Sequence, residues 1–82
     1  AGLSEPMRAV LKRGTAGIVD RIANGIEIGV AEGSLNVAGS PHAVAQSLYQ
    51  LWVGASVMVK INKSVQPFET AMATTRLILN LP

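Results

Sequence analysis

The side chains in this sequence that could carry out chemistry are few, and their spacing does not bring them together. His42 is the only histidine and the sequence contains no cysteine, so neither a metal site nor a catalytic pair is predicted. Glu27 and Glu32 are five residues apart, a spacing that does not place them on one face of a helix. We interpret both carboxylates as solvated, and we expect a replacement of His42 to do little. The chain is predicted to be neither an enzyme nor a cofactor-binding protein.

The glycines lack the context of a phosphate-binding loop, because they fall within a helical pattern and follow no predicted strand. Gly25 and Gly29 are four residues apart, a spacing typical of close helix packing, and we interpret them as a helix contact. Asp20 and Arg21 are adjacent, point apart and are interpreted as surface charges. Lys12, like His42, is expected to tolerate replacement.

Composition points to an apolar unit that needs a partner. Of the 82 residues, 49% are hydrophobic and only 15% are charged, against about 25% charged in an average soluble domain. This balance excludes intrinsic disorder, and the lack of cysteine excludes a disulfide framework and is compatible with a cytoplasmic protein. The net charge of +2 comes from dispersed residues, so the chain itself is not predicted to bind nucleic acid. A unit of this size is one domain or part of one.

Three helices are predicted, which makes the fold class all-α; they cover residues 4–32, 41–62 and 66–80. Ser4 and Ser40 are N-cap residues, each followed by a proline in the first helical turn, and Gly33 is a C-terminal stop. Apolar residues of the first helix recur with helical spacing: Met7, Val10, Leu11, Ile18, Ile22 and Ile26. Strands are disfavoured because apolar residues do not alternate strictly with polar ones.

The second helix carries one charged residue, Lys60, near its C-terminal end. A helix on a protein surface normally has a charged face opposite its apolar face, so this helix is predicted to be covered on more than one side. A membrane span is the less favoured alternative. The uncharged run over 43–59 falls short of the roughly 20 residues that a span requires, and it contains two glutamines and two serines.

One layer of three helices cannot cover the second helix fully, whereas a symmetry mate would. We therefore predict a homodimer in which the last two helices pair with their copies into an apolar four-helix interface of at least about 1,600 Å² in total. The candidate interface residues are Leu48, Leu51, Ala55, Met58, Phe68, Met72, Thr75 and Leu79. Periodicity does not decide which row faces the mate and which faces the first helix. A freestanding helical module that docks a different protein is the alternative.

The last two helices also carry a more specific pattern, with LYQLWVGA over 48–55, KINKS over 60–64 and PFE over 67–69. This order resembles the end of TetR/AcrR-type bacterial transcriptional regulators, in which a leucine-tryptophan-x-glycine-alanine helix precedes a short basic turn and a proline-led last helix. The segment from Leu3 to Leu35 resembles the helix before this pair, so the resemblance covers essentially the whole chain. It is closest to the branch that represses N-ethylmaleimide reductase and senses reactive electrophiles.

The resemblance implies that the chain is the end of a dimerisation and effector-binding domain, without the N-terminal helix-turn-helix domain. Operator DNA would bind only through that missing domain, and a small-molecule effector would bind in the full-length protein; no membrane is involved. Candidate pocket residues within this chain are Ile18, Ile22 and Trp52. Electrophile sensing in that branch uses cysteine, which this chain lacks. Either the sensing thiol lies in the missing part, or the protein responds to a different ligand.

Overall fold

The computed structural model describes residues 4–82, which form three helices: α1 (Glu5–Glu32), α2 (Pro41–Asn62) and α3 (Gln66–Leu79). No strand occurs among these described residues, so the predicted all-α fold class is confirmed. The observed helix bounds differ from the predicted ranges by no more than one residue. Leu3, with which the segment resembling the regulator family begins, lies outside the described residues.

The helix ends are fixed by the residues that we expected to cap them. Ser4 Oγ accepts a hydrogen bond from the amide of Met7 at 3.3 Å, and Ser40 Oγ accepts one from the amide of Ala43 at 3.1 Å. These bonds satisfy amides that have no partner in the first turn of a helix. Gly33 ends α1 with a φ of 83°, a left-handed conformation that glycine adopts without strain. All three predicted caps are therefore confirmed.

The end of α3 holds the loop between α1 and α2 in place. Asn80, with a φ of 56°, is the C-cap of α3 rather than its last helical residue. Asparagine tolerates this conformation because its short polar side chain forms local hydrogen bonds. The Asn80 side-chain amide donates to the Asn36 carbonyl at 2.6 Å, and the Asn36 amide donates to the Leu79 carbonyl at 3.4 Å. The loop is thereby attached to the third helix.

The core lies between α1 and α2 and is completed by the end of α3. Its buried side chains come from the first two helices: Val19, Ala23, Ile26, Val44, Ala45 and Leu48. Ile78 and Leu79 of α3 pack against this cluster, as do Leu35 and Val37 of the loop. Alanines at two of the buried positions allow the helix backbones to approach closely, which suits a small core.

The first half of α1 takes no part in this core. Of the apolar row noted in the sequence, Ile26 is buried and Ile22 is half-buried. The earlier members of the row are exposed: Met7, Val10, Leu11 and Ile18. The most N-terminal buried residue of α1 is Val19, so the apolar pattern continues upstream of the part that α2 covers.

The molecule is a thin slab, with Cα extents of 46 × 31 × 15 Å. Among the described residues, the backbones of α1 and α3 each approach α2 but not each other, so α2 is the middle helix of one layer. This agrees with the expectation that one three-helix layer leaves part of α2 uncovered. Within residues 4–82, none of the three helices combines the length and apolar character that a bilayer crossing requires.

The predicted glycine contact within α1 needs a correction, because the two glycines differ. A Cβ built on Gly25 would have no atom within 4 Å, whereas one on Gly29 would lie 2.5 Å from Cδ1 and 2.6 Å from Cγ of Leu35. Gly25 therefore makes no helix contact, and Gly29 contacts a loop residue rather than another helix. The spacing of four residues predicted that this side of α1 makes a close contact, but it did not predict that Leu35 of the loop is the contacting residue.

These two positions give a matched pair of substitutions. Gly25→Ala is expected to raise the free energy of unfolding by about 0.5–1 kcal/mol, since alanine is the better helix former. Gly29→Ala is expected to lower it by about 1–2 kcal/mol, because the new methyl group displaces Leu35 and overpacks the site. Urea unfolding followed by circular dichroism measures both values. Equal stabilisation by the two changes would contradict the contact between Gly29 and Leu35.

Candidate functional site

One side of α2 is uncovered and apolar, and we call it the open face of α2. It consists of Val53, Gly54, Val57, Met58 and Ile61, which share one side of the helix at a spacing of three and four residues. The four large side chains are 45%, 51%, 45% and 67% exposed, respectively. Single exposed apolar residues are ordinary, but a contiguous apolar stripe on one helix marks an interaction surface.

The open face of α2 continues into a shallow groove beside α3. This α2–α3 groove has a volume of about 660 Å³. It is lined by Gln50, Leu51, Gly54, Ala55, Val57, Met58, Pro67, Thr70 and Ala71. None of these side chains is charged. A partner that covers the groove would therefore not have to desolvate an ion, which is the most costly step in burying a polar surface.

Trp52 fastens α2 to α3 on the other flank of the helix pair. Its Nε1–H donates to Thr75 Oγ1 at 2.9 Å, and the Thr75 hydroxyl donates in turn to the Ala71 carbonyl at 2.7 Å. The Trp52 ring stacks on Phe68 with a centroid distance of 5.8 Å and an interplanar angle of 25°. The hydrogen bond and the offset stacking explain why Trp52 acts as an anchor between the helices.

The structure distributes the eight predicted interface residues over three environments. Leu51, Ala55 and Met58 line the α2–α3 groove, and Ala55 is itself buried. Leu48 and Leu79 pack in the core of the chain. The remaining three lie outside the groove lining: Phe68, Met72 and Thr75. Phe68 and Thr70 are two residues apart, which turns them about 200° away from each other around α3.

The three candidate pocket residues are not brought together around one cavity. Ile18 is exposed on α1, whereas Ile22 packs against the core cluster. Trp52 contacts α3 through Thr75 and Phe68. None of the three lines the α2–α3 groove or the second groove described below. Their role as pocket residues stays a prediction.

A second groove lies between α1 and α2 and was not anticipated from the sequence. This α1–α2 groove has a volume of about 630 Å³. Its α1 wall is formed by Lys12, Thr15, Ala16 and Val19. Its α2 wall is formed by His42, Gln46, Tyr49, Gln50, Val53 and Gly54. The residues of each wall follow helical spacing, so the sequence indicates that they share one side of their helix. It does not indicate that the α1 wall and the α2 wall face each other.

The ionisable side chains of the described residues all remain accessible to solvent. No charged or polar side chain is buried among them. His42 Nε2 lies 3.8 Å from Asp20 Oδ1, with both side chains about two-thirds exposed at 64% and 67%. This contact links the start of α2 to α1. An exposed pair of this kind contributes little to stability, about 0–1 kcal/mol.

Comparison with known proteins identifies a protein family that this chain matches. A family model described as the tetracyclin repressor-like, C-terminal domain matches residues 1–75. Two curated proteins from strains of Escherichia coli, both named HTH-type transcriptional repressor NemR, are each 36% identical to this chain over 80 residues. The match covers 98% of this chain and 40% of each relative.

Solved structures agree with the sequence matches. A crystal structure of Escherichia coli NemR in its reduced form superimposes with a TM-score of 0.93 and 38% identity, covering 98% of this chain and 43% of that one. A second crystal structure, described as a TetR/AcrR family transcriptional regulator, gives a TM-score of 0.88 and 35% identity, covering 94% of this chain and 44% of that one. The chain thus spans well under half the length of the proteins that it matches.

Proposed function

We propose a function from one premise: this chain belongs to the family of tetracyclin repressor-like C-terminal domains. The chain is the dimerisation and effector-binding region of a bacterial one-component transcriptional repressor that acts in the cytoplasm. Two relatives that match 98% of it are named as transcriptional repressors, which supports a regulatory rather than an enzymatic role. Operator DNA is bound by a part of the parent protein outside these 82 residues.

The dimer forms when a second copy of the chain covers the open face of α2 and the α2–α3 groove. Leu51 and Met58 contribute predicted interface side chains there, beside the exposed Val57. A two-fold interface repeats one patch on both subunits, so the patch must be compatible with itself. The α2–α3 groove meets this condition, because it has no charged side chain that would face its own copy.

The open face of α2 is the single observation that carries this proposal. Its four large apolar side chains are exposed and lie together on one side of the helix, and a contiguous apolar surface of this kind marks an interaction site. Gly54 lies on the open face and lines both grooves. A Cβ built on Gly54 would meet no atom of the described residues within 4 Å, so the helix of a second copy has room to approach α2 closely at this point.

The effector-binding role is inferred from the family, and fewer observations on single residues support it than support the dimerisation role. Ile18 and Trp52 remain candidates, because Ile18 is exposed and Trp52 is only half-buried within the chain. They are available for contact with a part of the parent protein beyond these residues. A pocket completed in this way is compatible with the observation that the three candidates share no cavity here.

Sedimentation equilibrium of the 82-residue chain at micromolar concentration tests the dimer. We expect a monomer–dimer equilibrium with the dimer predominant, because an apolar interface of standard size gives stable association. A well-folded monomer over the whole concentration range would contradict the proposal and favour the alternative, a helical module whose apolar face docks a different protein.

A further inference from the structure

Asn24 and Gly25, in the second half of α1, form the only asparagine–glycine pair of the 82-residue sequence. Glycine has no Cβ, so in an unfolded chain its amide nitrogen is free to react with the side-chain amide of the asparagine before it. We propose that Asn24 is a spontaneous deamidation site that the fold of α1 keeps unreactive. Release of α1 from the core then leads to a covalent change that prevents the chain from folding again.

The reaction needs only these two residues and water. The Gly25 backbone nitrogen attacks Cγ of Asn24 and loses its proton, the bond between Cγ and Nδ2 breaks, and Nδ2 leaves as ammonia with that proton. The product is a succinimide ring, which water opens at either of its carbonyl carbons. Opening at one carbon gives aspartate. Opening at the other gives isoaspartate, in which the main chain runs through the former side chain.

The helical backbone keeps this ring from closing in the folded chain. Both residues lie well inside α1, where a ψ of about −42° holds the Gly25 nitrogen away from Cγ of Asn24. The Gly25 amide is also directed at the Arg21 carbonyl, its acceptor in the helix. Burial does not protect the site, because Asn24 and Gly25 are both exposed. The reaction therefore requires that the helix opens around Asn24.

Opening of the helix at this point disrupts the core. Ala23 precedes the pair and Ile26 follows it, and these two side chains are only 5% and 4% exposed. Both belong to the core cluster, in which they are grouped with Leu48 of α2. The helix cannot unwind at Asn24 while both neighbours stay packed. Deamidation of Asn24 therefore occurs in chains whose α1 has been released from α2.

The isoaspartate product is incompatible with the folded core. Isoaspartate inserts an extra carbon atom into the main chain between Ala23 and Ile26, which are both buried. A helix presents side chains to one neighbour only while its residue spacing is regular. The insertion therefore turns one of the two side chains away from α2, and α1 cannot pack again as before. The modification removes chains that have opened and leaves intact those that stay folded.

Two incubations of the 82-residue chain near neutral pH test the reactivity, one in buffer and one in enough urea to unfold the chain. Mass spectrometry of peptide fragments locates each deamidated asparagine. In urea, Asn24 is expected to convert faster than Asn36, because the branched side chain of Val37 shields the amide that follows Asn36. In buffer, conversion of Asn24 is expected to be at least about tenfold slower, since opening a core helix costs more than about 1.4 kcal/mol.

Gly25→Ala is the matched variant and is expected to remove the rapid conversion in urea, because the added methyl group hinders the attacking nitrogen. Equal rates for Asn24 in buffer and in urea would show that the helix does not protect the site. No preference for Asn24 over Asn36 in urea, or rapid conversion that persists in Gly25→Ala, would show that the pair is not the reactive site. Each of these results would overturn the proposal.

Circular dichroism of the modified chain tests the consequence. After separation and transfer to buffer, the isoaspartate form is expected to have lost helix content relative to the unmodified chain. Asn24→Asp is the control, because it carries the same charge on a normal main chain at an exposed position, and it is expected to keep its helices. Full recovery of helix content by the isoaspartate form would refute the proposed block to folding. None of these measurements requires a second copy, so the outcome is independent of the proposed dimer.

Discussion

Replacement of Met58 by glutamate is expected to convert the proposed dimer of this chain into a well-folded monomer. Met58 is 45% exposed in the single chain and lines the α2–α3 groove, so a carboxylate there stays hydrated as long as the chain is alone. In the dimer the same carboxylate would lose water without gaining a partner, which costs several kcal/mol. Two-fold symmetry applies this cost twice.

The measurement is sedimentation velocity over a concentration series, together with thermal unfolding of the same samples. The dissociation constant is expected to rise by at least about 100-fold, since each factor of ten corresponds to about 1.4 kcal/mol. Helix content is expected to stay the same. Ile28→Glu is the matched control, because Ile28 is 59% exposed on α1 and lines none of the grooves.

Leu51→Glu would be a poorer test, although Leu51 also belongs to the predicted interface. Leu51 is half-buried and packs against the core cluster of its own chain, so a carboxylate there would disturb folding as well as assembly. If Met58→Glu leaves the dimer intact, the second copy does not cover the α2–α3 groove. Met72→Glu then becomes the informative change, because Met72 is 42% exposed and lies outside that groove.

Local chemistry made the helix ends predictable from the sequence. A serine N-cap followed by proline, and a glycine at the C-terminal stop, act through bonds between residues that are three to five positions apart. Such short-range interactions do not depend on the rest of the fold. The cap at Asn80 is also local, because the Asn80 amide donates to the Leu77 carbonyl. Only the additional side-chain bond from Asn80 to Asn36, which is 44 residues away in the sequence, depends on the rest of the fold.

The faces of the helices were harder to assign than their ends. Helical spacing identifies which residues share a side, but it does not identify what that side packs against. Met7 and Ile26 belong to the same apolar row of α1. Ile26 is buried because α2 covers that part of α1, whereas Met7 lies upstream of the covered part and is exposed. Two predicted interface residues of α3 illustrate the same limit, because Phe68 stacks on Trp52 while Leu79 packs in the core.

The candidate site was therefore predictable in kind but not in detail. The nearly charge-free second helix predicted that α2 is covered on more than one side; the open face is uncovered within the chain, so its cover by a second copy stays a prediction. The α1–α2 groove was missed because it needs Lys12 and His42, which are 30 residues apart, on facing walls. That proximity depends on how α1 crosses α2, and periodicity within each helix carries no information about the crossing.

Leu48→Ala is expected to be the most destabilising of the single truncations among the predicted interface residues. Leu48 is only 6% exposed and packs in the core cluster with residues of α1 such as Val19 and Ile26. Truncation of a buried leucine costs about 2–5 kcal/mol, which combines lost burial with the cavity that remains. A chain of this size is expected to have only about 4–12 kcal/mol of total stability, so the loss is a large share of it.

Urea unfolding in the Met58→Glu background measures this cost for the folded monomer, because dissociation no longer contributes. Leu77→Ala is the matched control, since Leu77 is 78% exposed and its truncation is expected to change the free energy of unfolding by less than about 0.5 kcal/mol. The two substitutions together distinguish a core role of Leu48 from a role in the dimer interface. If Leu48→Ala left folding intact and only weakened the dimer of the otherwise unmodified chain, Leu48 would be an interface residue and the core described above would be wrong.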